Sequence, residues 1–110
     1  MRLCPTDALP EGAARGFDNP GDPEGYGVVV TRRDGRLHAY RNRCPHRGVS
    51  LEWLPDVFLD REGQHLQCAT HAALFRIGDG HCIAGPCKGQ GLTRLAVSEQ
   101  EGWVVLDLRG

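Results

Sequence analysis

The 110 residues suffice for one domain with a buried core, and 13 basic residues against 14 acidic ones leave no basic tract to follow a nucleic-acid backbone. Hydrophobic residues at 40% and charged residues at 25% exclude a disordered chain, and no apolar run reaches the roughly eighteen residues that a transmembrane helix needs. The opening MRLCPTDALPEG reads as no secretory leader, so the odd number of cysteines, five, is expected to serve as thiols or metal ligands in a cytoplasmic protein rather than as a disulfide framework.

Fifteen glycines and seven prolines interrupt the chain too often for long helices, which makes the expected class all-β. After a loop over Asn19–Gly27 (NPGDPEGYG), strands are expected at Gly27–Arg32, Leu37–Arg41, Val57–Asp60, His65–Cys68, Leu74–Ile77, His81–Ala84, Leu92–Val97 and Trp103–Leu108. The turn signals between them are Asp34-Gly35, Glu62-Gly63, Gly78-Asp79-Gly80 and Glu101-Gly102, where glycine supplies the positive φ of a hairpin turn. Antiparallel hairpins follow. His38, His65 and His81 are expected as surface or cross-strand partners, and Trp53 and Trp103 as packing residues.

The chemistry concentrates in CPHRG, Cys44 to Gly48, and CATH, Cys68 to His71. Each segment offers one thiolate and one imidazole, a donor set open to tetrahedral zinc or to an iron–sulfur centre. A common zinc finger keeps its cysteines in one element and its histidines in another. The mixed order here favours a diiron cluster in which two histidines replace two cysteines on one iron. Cys4, Cys82 and Cys87 fit no second metal spacing and are expected as reduced thiols, with a Cys82–Cys87 disulfide disfavoured in a reducing compartment.

The two motifs resemble the cluster loops of the Rieske family. RRDGRLHAYRNRCPHRG is similar to the strand and turn leading into the first loop, and FRIGDGHCIAGP, Phe75 to Pro86, to the closing strand and proline loop. The resemblance runs from about Val28 to Leu106 and implies a Rieske-like antiparallel β-sandwich with an inserted cluster-binding loop subdomain. Residues 1–110 would form one such domain, with its cluster-binding part at about 43–87. It further implies one [2Fe-2S] cluster, with Cys44 and Cys68 on the buried iron and His46 and His71 on the outer iron. Gly48 and Gly85-Pro86 would shape the surrounding loops. Two positions depart from the family pattern: the 21 residues between His46 and Cys68 exceed the usual gap of small members, and Ala72 stands where glycine is usual.

What the resemblance implies for function is a one-electron carrier between a reductase and a terminal oxygenase or other oxidoreductase, with no small-molecule substrate of its own. A ring-hydroxylating oxygenase needs a large further domain. The alternatives are a small subunit held within an oxidoreductase such as a nitrite reductase, and a structural Cys2His2 zinc module. High-potential members of the family carry a cysteine pair at the positions of Val49 and Thr70, and hydroxyl side chains at those of Ala73 and Phe75. This chain is therefore expected to belong to the low-potential branch.

Overall fold

The computed structural model describes residues 1–45, 51, 58–60, 63–68, 73–85 and 89–107. The chain opens with β1 (Arg2–Pro5), one 3-10 turn (Thr6–Ala8) and β2 (Ala14–Phe17), and then forms the hairpin β3 (Val28–Arg33) and β4 (Arg36–Arg41). A meander of β5 (His65–Gln67), β6 (Leu74–Arg76) and β7 (Cys82–Ala84) follows, and β8 (Arg94–Leu95), β9 (Val97–Gln100) and β10 (Trp103–Leu106) complete the chain. Three antiparallel sheets result, ordered β1-β10-β9, β2-β3-β4-β8 and β5-β6-β7. Among the described residues no helix is long and apolar enough to cross a membrane.

The second sheet has a core on each face, which explains why Val28, Val29, Val30 and Thr31 are all buried. Successive side chains of a strand point to opposite faces. Val28, Val30 and Ala39 pack with Cys4, Leu9, Val104 and Leu106 towards the first sheet. Val29 and Tyr40 turn the other way and join Leu66 and Phe75 of the third sheet, with Ile77 just after β6. The register agrees, since Val30 pairs with Ala39 and Val29 with Tyr40, and paired residues share a face. The result is the expected sandwich, with the third sheet inserted in sequence between β4 and β8.

Two of the expected turns close two-residue hairpins. Asp34 and Gly35 both adopt positive φ, 53° and 74°, as do Glu101 and Gly102 at 52° and 80°, the geometry whose twist matches flanking strands. The Glu11 carboxylate accepts the N–H groups of Asp34 and Gly35 at 2.7 and 2.8 Å, and these bonds hold its pKa below the usual value.

Several expectations need correction. Leu92–Val97 is not one strand: the chain leaves β8, paired with β4, and crosses at Ala96 into β9, paired with β10. The crossing joins two sheets, a tertiary requirement that alternation does not encode. β1 and β2 were not expected, because RLCP and ARGF are too short and too polar to show a period. From Phe58 to Asp60 there is only an isolated bridge, Leu59 to Leu66, and Val57 lies outside the described residues. Trp103 is half-buried beneath the Arg2 guanidinium, 5.0 Å from its ring centre, with the buried Val104 and Leu106 alternating against it; Trp53 lies outside the described residues.

Candidate metal centre

Cys44 follows the end of β4, where the chain turns inward. The Asn42 N–H donates to the Gly27 carbonyl at 2.9 Å and the Arg43 N–H to the Arg41 carbonyl at 2.8 Å. Gly27 is sterically required there, because a Cβ would stand 2.5 Å from the Phe17 carbonyl oxygen. Cys68 follows β5, and its N–H donates to the Ala73 carbonyl at 2.9 Å, bracketing residues 69–72 at the base of the β5–β6 hairpin.

Both cysteines have 0% exposure and belong to one core with Leu51, Phe58, Leu66, Ala73, Phe75 and Cys82. Alternation along and beside β6 sends Ala73, Phe75 and Ile77 into that core while Arg76 stays exposed. Gly85, at φ 98°, lies so close that a Cβ would meet the Ala73 Cα at 2.8 Å, so the glycine of the expected proline loop packs directly behind Ala73. The fold thus brings Cys44 and Cys68 into one core. His46 and His71 lie outside the described residues, as do Arg47, Gly48, Ala72, Pro86 and Cys87.

The approach to Cys44 is braced by charge. Arg41 binds the Asp22 carboxylate at 2.7 and 3.1 Å and Glu24 at 3.0 Å, while Asp22 also accepts the N–H groups of Glu24 and Tyr26. The hydrogen bond from Arg41 is the main reason that the Asp22 pKa falls to about 2. Tyr26 lies under both Arg41 and Arg43, 4.8 and 5.7 Å from its ring centre. The loop before β3 is thereby fastened to the segment entering Cys44.

The remaining histidines and cysteines have other places. His65 Nδ1 lies 3.1 Å from an Asp60 oxygen, and Asp60, despite its desolvation, is held below the usual carboxylate range by hydrogen bonds from His65 and Gln64. His38 is half-buried opposite Thr31, where desolvation lowers its pKa, and His81 is exposed beside Asp79. Cys82 pairs in register with Phe75, and its thiol donates to the Ala84 carbonyl at 3.2 Å. Cys4 lies in the other core, where burial pushes its thiol up. Among the described residues no disulfide forms and no three metal-ligating side chains gather. Sequence reasoning missed Asn42, whose Oδ1 accepts the Leu51 N–H at 2.8 Å in a buried hydrogen bond. The only local signal was a short amide side chain ahead of a loop.

The family described as Rieske [2Fe-2S] domain matches residues 1–101. The ferredoxin component of the p-cumate 2,3-dioxygenase system of Pseudomonas putida is 29% identical over 96% of this chain and 83% of its own length. The ferredoxin component of the alkene monooxygenase system of Xanthobacter autotrophicus is 35% identical over 74% of this chain, a match that spans only 60% of that relative. Among solved structures, the ferredoxin of carbazole 1,9a-dioxygenase from Nocardioides aromaticivorans IC177 shares the fold with a TM-score of 0.72, at 23% identity over 96% of this chain and 94% of that one. A chain from the reduced complex between oxygenase and ferredoxin in carbazole 1,9a-dioxygenase superposes with a TM-score of 0.77 at 26% identity, over 98% of this chain and 28% of that longer one. The described donors fit the family's group, since two fully buried thiols in one core are soft donors of the kind an iron–sulfur cluster needs. The chain belongs to the Rieske [2Fe-2S] domain family and, as a member, carries one [2Fe-2S] cluster.

Proposed function

We propose that Cys44, His46, Cys68 and His71 bind the cluster and that the chain passes single electrons from a reductase to a terminal oxygenase, as a ferredoxin component does. The observation that carries this reading is the burial of Cys44 and Cys68, both at 0%, in one core at the ends of β4 and β5. Two relatives named as ferredoxin components of oxygenase systems support the choice of partner.

When bound, the cluster supplies reversible one-electron oxidation and reduction. The chain's own residues hold it and set its surroundings. The Cys44 and Cys68 thiolates supply soft negative donors away from water, and Leu51, Phe58 and Phe75 keep that side of the site apolar. The His46 and His71 imidazoles, ligating through one nitrogen, keep a second nitrogen that can hold a proton. Residues 1–110 act as one domain, with 43–87 as its cluster-binding part, in the reducing cytoplasm. The chain works as a separate carrier and not as an enzyme or a fixed subunit of one.

Anaerobic purification followed by iron and acid-labile sulfide analysis tests the ligand set, and gel filtration tests the carrier. The expected product is a brown protein with equal iron and sulfide, eluting without a large partner and reduced rapidly by a flavin reductase. A colourless zinc-loaded chain, or one that stays bound to a large flavin or haem protein, contradicts the reading.

A further inference from the structure

Among the described residues, one side chain pins the base of the first cluster segment. Asn42 is only 7% exposed, and its Oδ1 accepts the Leu51 N–H at 2.8 Å across the intervening residues 43–50. Its own N–H is anchored on the Gly27 carbonyl, so the acceptor is held from a fixed backbone position. Leu51 is fully buried in the core that contains Cys44 and Cys68. The second segment has a backbone bond at its base, from the Cys68 N–H to the Ala73 carbonyl. The first has among the described residues no such bond between its ends, and Asn42 supplies it.

We propose that Asn42 is a positioning residue for the cluster: by accepting the Leu51 N–H it fixes both ends of the segment that carries Cys44 and His46. This rests on the ligand assignment above. The physical argument is that closing a loop costs conformational entropy, which a buried hydrogen bond offsets only while its acceptor is present. Remove the acceptor, and the Leu51 N–H is left buried and unsatisfied. That penalty falls on the arrangement in which the two ligands are held ready, so the cluster should be released more readily.

The test compares wild type, Asn42→Ala and Asn42→Asp as purified holoproteins. Three properties are followed: cluster loss to an iron chelator by visible absorption, the EPR line shape of the reduced protein, and the thermal midpoint. Asn42→Ala should lose its cluster roughly tenfold faster and show broadened EPR features, since an orphaned buried donor costs about that factor or more. Asn42→Asp keeps the acceptor oxygen and should return the loss rate close to that of wild type. An Ala variant with a lowered thermal midpoint but unchanged loss rate and EPR would show a merely structural role and overturn the proposal. If the Ala variant does not fold, the Asp variant decides: retention like wild type supports the clamp, and loss as fast as tenfold overturns it. Failure of the ligand assignment is visible separately, as wild-type protein lacking equal iron and sulfide.

Discussion

The Tyr40 hydroxyl donates a 2.6 Å hydrogen bond to the Ile77 carbonyl, and this buried contact ties the central sheet to the sheet that carries Cys68. Its ring lies against Gly80, where a Cβ would stand 2.7 Å from it, so the turn before β7 closes over the tyrosine. Burial raises the phenol pKa and keeps the donor protonated. Tyr40→Phe should leave the Ile77 carbonyl without this donor and destabilise the fold by about 1–2 kcal/mol, roughly 4 °C of midpoint for each kcal/mol. Paired thermal melts check it, and equal midpoints would refute the tie.

Cys68→Ser should abolish the cluster. A hard oxygen replaces a soft thiolate at a position with 0% exposure, and metal binding in such sites is coupled to folding. Iron and sulfide should fall below what the wild type holds by an order of magnitude or more. A brown Cys68→Ser protein with unchanged iron content and EPR signal would remove Cys68 from the ligand set.

The reduction potential should lie low in the family range, around −150 mV. Ala73 and Phe75 are both buried in the core with the two thiols, and neither has a hydroxyl to donate to a cluster sulfur. Such hydrogen bonds stabilise the reduced, more negative state. Ala73→Ser and Phe75→Tyr should each raise the potential. Redox titration of the three proteins settles the matter, and a wild-type value well above zero would show that other groups set it.

The brace ahead of Cys44 should weaken in acid. Asp22 titrates at about 2 in the fold, below its ordinary value near 3.8, because Arg41 donates to it. A depressed folded pKa means that its contribution is complete above the unfolded value and is lost as pH falls through the folded one. Asp22→Asn should therefore melt lower than wild type at pH 7, and the difference should shrink from about pH 4 downwards and vanish only below about pH 2. A difference independent of pH across that window would assign the effect to packing rather than charge.

The residues by themselves determined two of the hairpin turns and the family, because both signals are local. Asp34-Gly35 and Glu101-Gly102 close hairpins as expected, since a two-residue turn demands positive φ that glycine grants at no steric cost. The mixed Cys/His spacing pointed to the family that matches residues 1–101. Only the tertiary structure decided which short segments become strands and where strands change sheets. β1 gains its order from pairing with β10, a partner about a hundred residues away, which no local pattern announces. The break at Ala96 arises because β8 and β9 belong to different sheets. Asn42 is the same lesson at the candidate site: an asparagine before a loop is unremarkable until folding buries it opposite the Leu51 N–H, where a donor removed from water must find an acceptor.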